Sequence, residues 1–178
     1  MQIIKMKKIY YGKAVYDNRE IKAVNNVLKN NSLNLIDGPK VKKLENVVSK
    51  IFGKRFGLMV NSGSSANLLG LASFDFKKGS EVITTNLTFS TTVSPIYQLG
   101  LIPHFIGAQK NKFVADHNQI ERCINKKTVA IMIPNLLGNI CDWEKIYNTA
   151  KKYNLKVIED SADTIGYTKK HKKSWKVL

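Results

Sequence analysis

From residue 56 onward the chain alternates short apolar runs with segments of helical period, and this alternation limits the fold more than any other feature. Residues 56–60, 81–85, 102–106, 128–133 and 155–159 read as strands. Between them, 64–74, 91–99, 119–124 and 142–153 read as helices, the last with Asp142 as its N-cap. Strands separated by helices pair in parallel through crossovers, so the expected class is α/β: a mostly parallel sheet flanked by helices. Two amphipathic helices are expected before it. Asp17-Asn-Arg-Glu20 forms a capping box, after which Ile21, Val24 and Leu28 recur at helical spacing over 18–30. Gly38-Pro39 opens the second, with Val41, Leu44, Val48 and Ile51 on one face and Gly53 as its stop.

The tail breaks this rhythm. From Gly166 to Leu178 no amphipathic period is present, although an α/β sheet is expected to continue there with a covering helix. The chain reads as one that stops before its fold is finished.

Composition matters mainly through charge. The chain carries 29 Lys and Arg against 13 Asp and Glu, a net charge of +16. Such an excess raises contact with nucleic acid or an anionic membrane as a question. However, Gly79 to Gln109 contains no Lys or Arg, and the rest is lysine spread over expected helix surfaces plus a cluster at Lys169, Lys170, Lys172, Lys173 and Lys176. That distribution reads as solvated faces, so neither nucleic acid nor membrane is expected as a partner. Lys5, Lys7 and Lys8 are followed by no apolar signal core, and no run reaches the roughly 18 apolar residues of a membrane helix. Cys123 and Cys141 sit in no metal or redox spacing, so no metal is expected and a cytoplasmic address follows.

Few residues carry chemistry by pattern alone. Asn61-Ser-Gly-Ser-Ser-Ala-Asn67 lies between an expected strand and a helix, where free backbone N–H groups and short hydroxyl side chains can cradle a phosphate. Ser64 and Ser65 are the candidate donors, Gly63 allows close approach, and simple capping of the helix by Ser62 is the alternative. Asp160 ends a buried strand, where ligands of open α/β sheets gather. A carboxylate there could keep a pyridine nitrogen protonated, or could cap a following helix. Asp163 could add a polar contact or face water, and Phe89 could stack on a flat ring or pack in the core. His104 and His117 have no convergent partners, and His171 falls in the basic tail. Neither a Gly-x-Gly-x-x-Gly dinucleotide loop nor a Gly-Lys-Ser/Thr phosphate loop occurs.

The combination resembles the DegT/DnrJ/StrS family of sugar aminotransferases, whose chains adopt the aspartate-aminotransferase fold. The resemblance rests on Tyr10-Tyr-Gly-Lys-Ala-Val-Tyr-Asp17, Val60-Asn-Ser-Gly-Ser-Ser-Ala-Asn-Leu-Leu69, Gly79-Ser-Glu-Val-Ile-Thr-Thr85, Leu87-Thr-Phe-Ser-Thr-Thr-Val-Ser-Pro-Ile96, Pro134-Asn-Leu-Leu-Gly-Asn139 and Ile158-Glu-Asp-Ser-Ala-Asp163. It runs from about Tyr10 to Gly166 in the family's order. It implies a cofactor, pyridoxal phosphate or pyridoxamine phosphate, with Ser64 and Ser65 on the phosphate, Phe89 on the ring and Asp160 on the pyridine nitrogen. Many family members have Gln where Asp163 stands. Asp here is more similar to the deoxysugar 3-dehydrases, which use pyridoxamine phosphate, an iron–sulfur reductase partner and a histidine in place of the Schiff-base lysine.

The resemblance further implies a nucleotide-linked sugar substrate, a homodimer, and an organisation of three parts. These are an amino-terminal helical segment at 1–55, a partial cofactor-binding large domain at 56–166, and a basic irregular tail at 167–178. The family's Lys or His motif and its smaller carboxyl-terminal domain lie beyond Leu178, so the chain alone is expected to be inactive. Two rivals stand beside this expectation: a catalytically silent protein of the same fold that binds a phosphate or a partner, and, more distantly, a basic nucleic-acid-binding protein.

Overall fold

A computed structural model describes residues 10, 12–30, 35–165, 168–169 and 172–173. The chain divides into two units, residues 1–44 and 45–178. In the first, α1 (Asn18–Asn30) begins as its capping box requires. The Asp17 carboxylate accepts the Arg19 N–H at 2.7 Å, and Glu20 reaches back to the Asp17 N–H at 2.8 Å. None of its residues is buried. The second helix, α2 (Pro39–Ile51), crosses the boundary between the units.

The second unit is built on four parallel strands, β1 (Glu81–Thr85), β2 (Ile102–Ile106), β3 (Thr128–Pro134) and β4 (Lys156–Asp160), in the order β2-β1-β3-β4. Helix α3 (Gly63–Ala72) precedes β1, and the crossovers are α4 (Ser90–Gln98), the short α5 (Ile120–Cys123) and α6 (Trp143–Lys152). Strand alternation sorts the core into two layers. Val82, Ala130 and Met132 pack with Leu71 of α3 and Ile96 of α4 on one face. Ile83, Ile131 and Ile133 pack with Ile120, Trp143 and Ile146 of α5 and α6 on the other. The α/β expectation with a parallel sheet holds, and Asp142 caps α6 as read from its sequence.

One expected strand is corrected. Residues 56–60 have the right pattern but lie in no strand, because a strand needs a ladder partner and none of the described residues pairs with them. The segment instead lies along α2. A Cβ at Gly57 would stand 2.6 Å from the Glu45 carbonyl oxygen, and the Met59 N–H donates to the Glu45 carboxylate at 2.8 Å. Phe56 and Leu58 are each 79% exposed. In the tail, two-residue strands β5 (Thr168–Lys169) and β6 (Lys172–Lys173) pair antiparallel, while His171, Lys170 and Lys176 lie outside the described residues.

Candidate functional site

The carboxyl ends of β1, β3 and β4 open toward the first turns of α3 and α4, and the candidate residues gather there. Ser62 is the N-cap of α3, its hydroxyl accepting the Ser65 N–H at 3.1 Å and donating to the Ser65 hydroxyl at 3.1 Å. Capping by Ser62 therefore leaves other first-turn amides free of it. Ser62 takes one first-turn amide, while the helix itself offers no acceptor to those of Gly63 and Ser64. A Cβ at Gly63 would meet no atom within 4 Å, so the space beside this residue is open. Ser64 and Ser65 line a cleft of about 310 Å³ with Leu68, Thr91, Ser94, Pro95 and Gln98, and no lysine or histidine enters it.

Asp160 ends β4 half-buried. Its Oδ2 accepts two hydrogen bonds, from Asn67 Nδ2 of α3 at 2.8 Å and from the Thr92 hydroxyl of α4 at 2.8 Å. Its Oδ1 accepts the Ala162 N–H at 3.2 Å. The same carboxylate thus ties both helices to the end of the sheet and keeps acceptor capacity on Oδ1. No helix among the described residues follows Asp160, so the capping alternative does not apply. Phe89 stands at the N-cap of α4, three residues before Thr92, which places the two on one side of the first turn. Its ring is 68% exposed, available to a flat ligand rather than committed to the core.

Asp163 sits on the following turn. Its carboxylate accepts the Leu137 N–H at 2.8 Å, where Leu137 occupies the left-handed region at φ 53°. This bond secures the turn Leu136–Gly138. His104 and His117 are elsewhere. His104 Nδ1 is 3.3 Å from Glu81 at the opposite end of the sheet, and His117 Nδ1 is 2.9 Å from Gln109.

Sequence reading had placed Asn67 in a motif without giving it work, and had passed over Thr92. Both are polar residues on otherwise buried helix faces, which was the available signal. It also missed Asn135. That residue is 2% exposed, donates to Glu159 at 2.7 Å and Ser161 at 3.2 Å, and accepts the Cys141 N–H at 3.1 Å and the Trp143 indole N–H at 2.9 Å.

The fit to a phosphate-bearing aromatic cofactor is good on these residues. Open amides and two hydroxyls suit a phosphate, an exposed aromatic suits a ring face, and an anchored carboxylate with a spare lone pair suits a protonated ring nitrogen. Among the described residues no helix is long and apolar enough to cross a membrane, and no group of three or more His, Cys, Asp or Glu is placed to hold a metal.

Comparison with known proteins agrees. The model of the DegT/DnrJ/EryC1/StrS aminotransferase family matches residues 15–176. GDP-4-keto-6-deoxy-D-mannose 3-dehydratase of Yersinia pseudotuberculosis is 32% identical over 159 residues, covering 86% of this chain and 40% of that protein. The 3-oxo-glucose-6-phosphate:glutamate aminotransferase of Bacillus subtilis is 33% identical over 131 residues, 74% of this chain and 30% of its own. A crystal structure of GDP-4-keto-6-deoxymannose-3-dehydratase with a trapped PLP-glutamate geminal diamine superposes with a TM-score of 0.85 at 31% identity, over 93% of this chain and 44% of that one. The chain thus spans less than half the length of these relatives.

Proposed function

The chain belongs to the DegT/DnrJ/EryC1/StrS aminotransferase family, and from that premise we propose that residues 56–166 are the cofactor-binding part of an enzyme acting on nucleotide-linked sugars. The cofactor is pyridoxal phosphate or pyridoxamine phosphate, which supplies an electron sink when its ring nitrogen is protonated. Ser64 and Ser65 hold the phosphate at the start of α3, Phe89 covers one ring face, and Asp160 keeps the proton on the ring nitrogen. The observation that carries this reading is the Asp160 carboxylate, fixed by Asn67 and Thr92 and still open on Oδ1. Asp163 supports the cofactor side of the site by holding the turn at Leu137.

Between the two chemistries of the family, the 3-dehydrase branch is the preferred reading, on Asp163 and on the resemblance of 61–67 and 91–96 to that branch. A homodimer and an electron-donating iron–sulfur reductase belong to the same proposal, as does a role in surface-polysaccharide sugar synthesis. The protonating end of the ring faces Asp160, so a base must act at the far end. Among the described residues, none that lines the cleft beside Ser64 and Ser65 is a lysine or histidine. Within this proposal, residues 1–178 alone bind cofactor without turning over a nucleotide sugar.

Titration with pyridoxal phosphate, borohydride reduction and peptide mapping tests both halves of the proposal. Saturable binding without stoichiometric labelling of any one lysine is expected. A single fully labelled lysine with measurable transamination overturns the claim of inactivity. Absence of any saturable binding favours a catalytically silent relative of the same fold.

A further inference from the structure

Helix α4 contains Pro95. Proline has no N–H, so the carbonyl four residues earlier, on Thr91, loses the donor a regular helix would give it. That carbonyl is taken up from outside the helix: Asn67 Nδ2 of α3 donates to it at 3.2 Å. The second proton of the same nitrogen goes to Asp160 Oδ2 at 2.8 Å. A carbonyl and a carboxylate only accept, so the nitrogen of the Asn67 amide, not its oxygen, faces both. At 8% exposure the amide has little room to turn away.

The consequence falls on the carboxylate. Thr92, the residue after the freed carbonyl, adds its hydroxyl to the same Oδ2 at 2.8 Å, so that oxygen is committed to two donors from two helices. Among the described residues, the Ala162 N–H alone meets Oδ1. A carboxylate pinned through one oxygen has a fixed plane and presents the other in a fixed direction.

We propose that Asn67 is a positioning residue for recognition of the ring nitrogen: its amide, anchored on the Thr91 carbonyl that Pro95 leaves free, holds Asp160 so that Oδ1 points at the protonated nitrogen of a bound pyridine ring. This rests on the cofactor reading above. It adds that the proline inside α4 belongs to the binding device, although it touches neither Asp160 nor the cleft's phosphate donors as a hydrogen-bonding group.

Equilibrium dialysis of the whole chain against three probes tests it. The probes are pyridoxamine phosphate, its carbocyclic analogue with C–H in place of the ring nitrogen, and inorganic phosphate. The unaltered protein should prefer pyridoxamine phosphate over the analogue about tenfold or more, as a hydrogen bond to a charged group allows. Asn67→Leu should bring that preference close to unity and leave inorganic phosphate binding unchanged. Pro95→Ala returns an N–H to α4, which competes for the Thr91 carbonyl, and should reduce the preference partway with every side chain around Asp160 still present.

A purely structural Asn67 would weaken all three probes together. An Asn67→Leu protein that keeps the full preference overturns the proposal. If that variant does not fold, by circular dichroism, Pro95→Ala decides, and an unchanged preference there overturns it. An unaltered protein that does not tell the two rings apart removes the role of Asp160 itself, and the proposal with it. One that binds neither ring removes the cofactor reading as a whole.

Discussion

Two polar clusters meet at the carboxyl ends of β3 and β4, on opposite faces of the sheet, and they differ in how completely their hydrogen bonds are used. On the α6 face, Asn135 spends its whole amide on Glu159, Ser161, the Cys141 N–H and the Trp143 indole. Ser161 also donates to Glu159 at 2.7 Å, so the network closes on itself. On the α3/α4 face, Asp160 is held as firmly through Oδ2 but keeps a lone pair on Oδ1. A closed network specifies the fold, and an anchored group with capacity to spare is prepared for a ligand. Neighbouring residues of one strand thus serve the two purposes, because successive side chains of a strand point to opposite faces.

The largest expected effect is on the closed side. Asn135→Leu strands the indole N–H and the Cys141 N–H and leaves Glu159 with the Ser161 hydroxyl but without the amide, and should cost about 3–5 kcal/mol of stability by denaturant unfolding. It should also expose Cys141. Burial pushes that thiol up to about 11, with the nearby Glu159 charge adding to the shift, so alkylation should modify the half-buried Cys123 first in the unaltered protein. A loss under about 1 kcal/mol, with Cys141 still protected, would dissolve the contrast between the two clusters.

Next is the phosphate end of the open side. Ser64→Ala combined with Ser65→Asp removes both hydroxyls and sets a negative charge at the start of α3. Phosphate or sulfate binding followed by calorimetry should fall at least about tenfold, with little change in unfolding midpoint. Retained binding would move the anion site away from α3.

Asp160→Asn sharpens the comparison further. Asn keeps an oxygen for the Asn67 and Thr92 donors but sets an N–H against Ala162, so the stability cost should be about 1 kcal/mol or less while the preference for a ring nitrogen disappears. A cost equal to that of Asn135→Leu would make Asp160 a structural residue like its counterpart.

The smallest effect belongs to the other end of the sheet. The Asn125 amide, bonded at 2.7 Å, and then His104 hold the Glu81 carboxyl below its ordinary value of 4.5, with burial opposing them. A depressed carboxyl stabilises the fold above its unfolded value and loses that contribution as pH falls through the folded one. Glu81→Gln should therefore cost under about 1 kcal/mol near neutrality and flatten the decline in stability below about pH 4.5, as seen in thermal melts across acid pH.

Much of this was legible in the residues themselves. Strand and helix positions follow from period and caps: Asp17 with Glu20, Asp142, and the apolar runs at 81–85, 102–106 and 128–133 all depend on neighbours a few residues away. The candidate residues Ser64, Ser65, Phe89 and Asp160 were likewise readable by position, since each stands at the end of a strand or the start of a helix. The segment 56–60 was misjudged because alternation reports a face, whereas a strand also requires a partner.

What local pattern cannot carry is the meeting of residues 67, 92 and 160, whose bonds span 68 and 93 positions along the chain. By itself the sequence determined the two periods, the caps and the polar residues available at the carboxyl ends of the strands. Only the tertiary structure decided that a carbonyl released by Pro95 would be met by Asn67, and that the same amide would hold Asp160 through Oδ2. The physical reason is that hydrogen bonds are short and directional. Which donors a buried carboxylate finds is settled by the packing of α3 and α4 on the sheet, and no neighbour in the chain can supply that information.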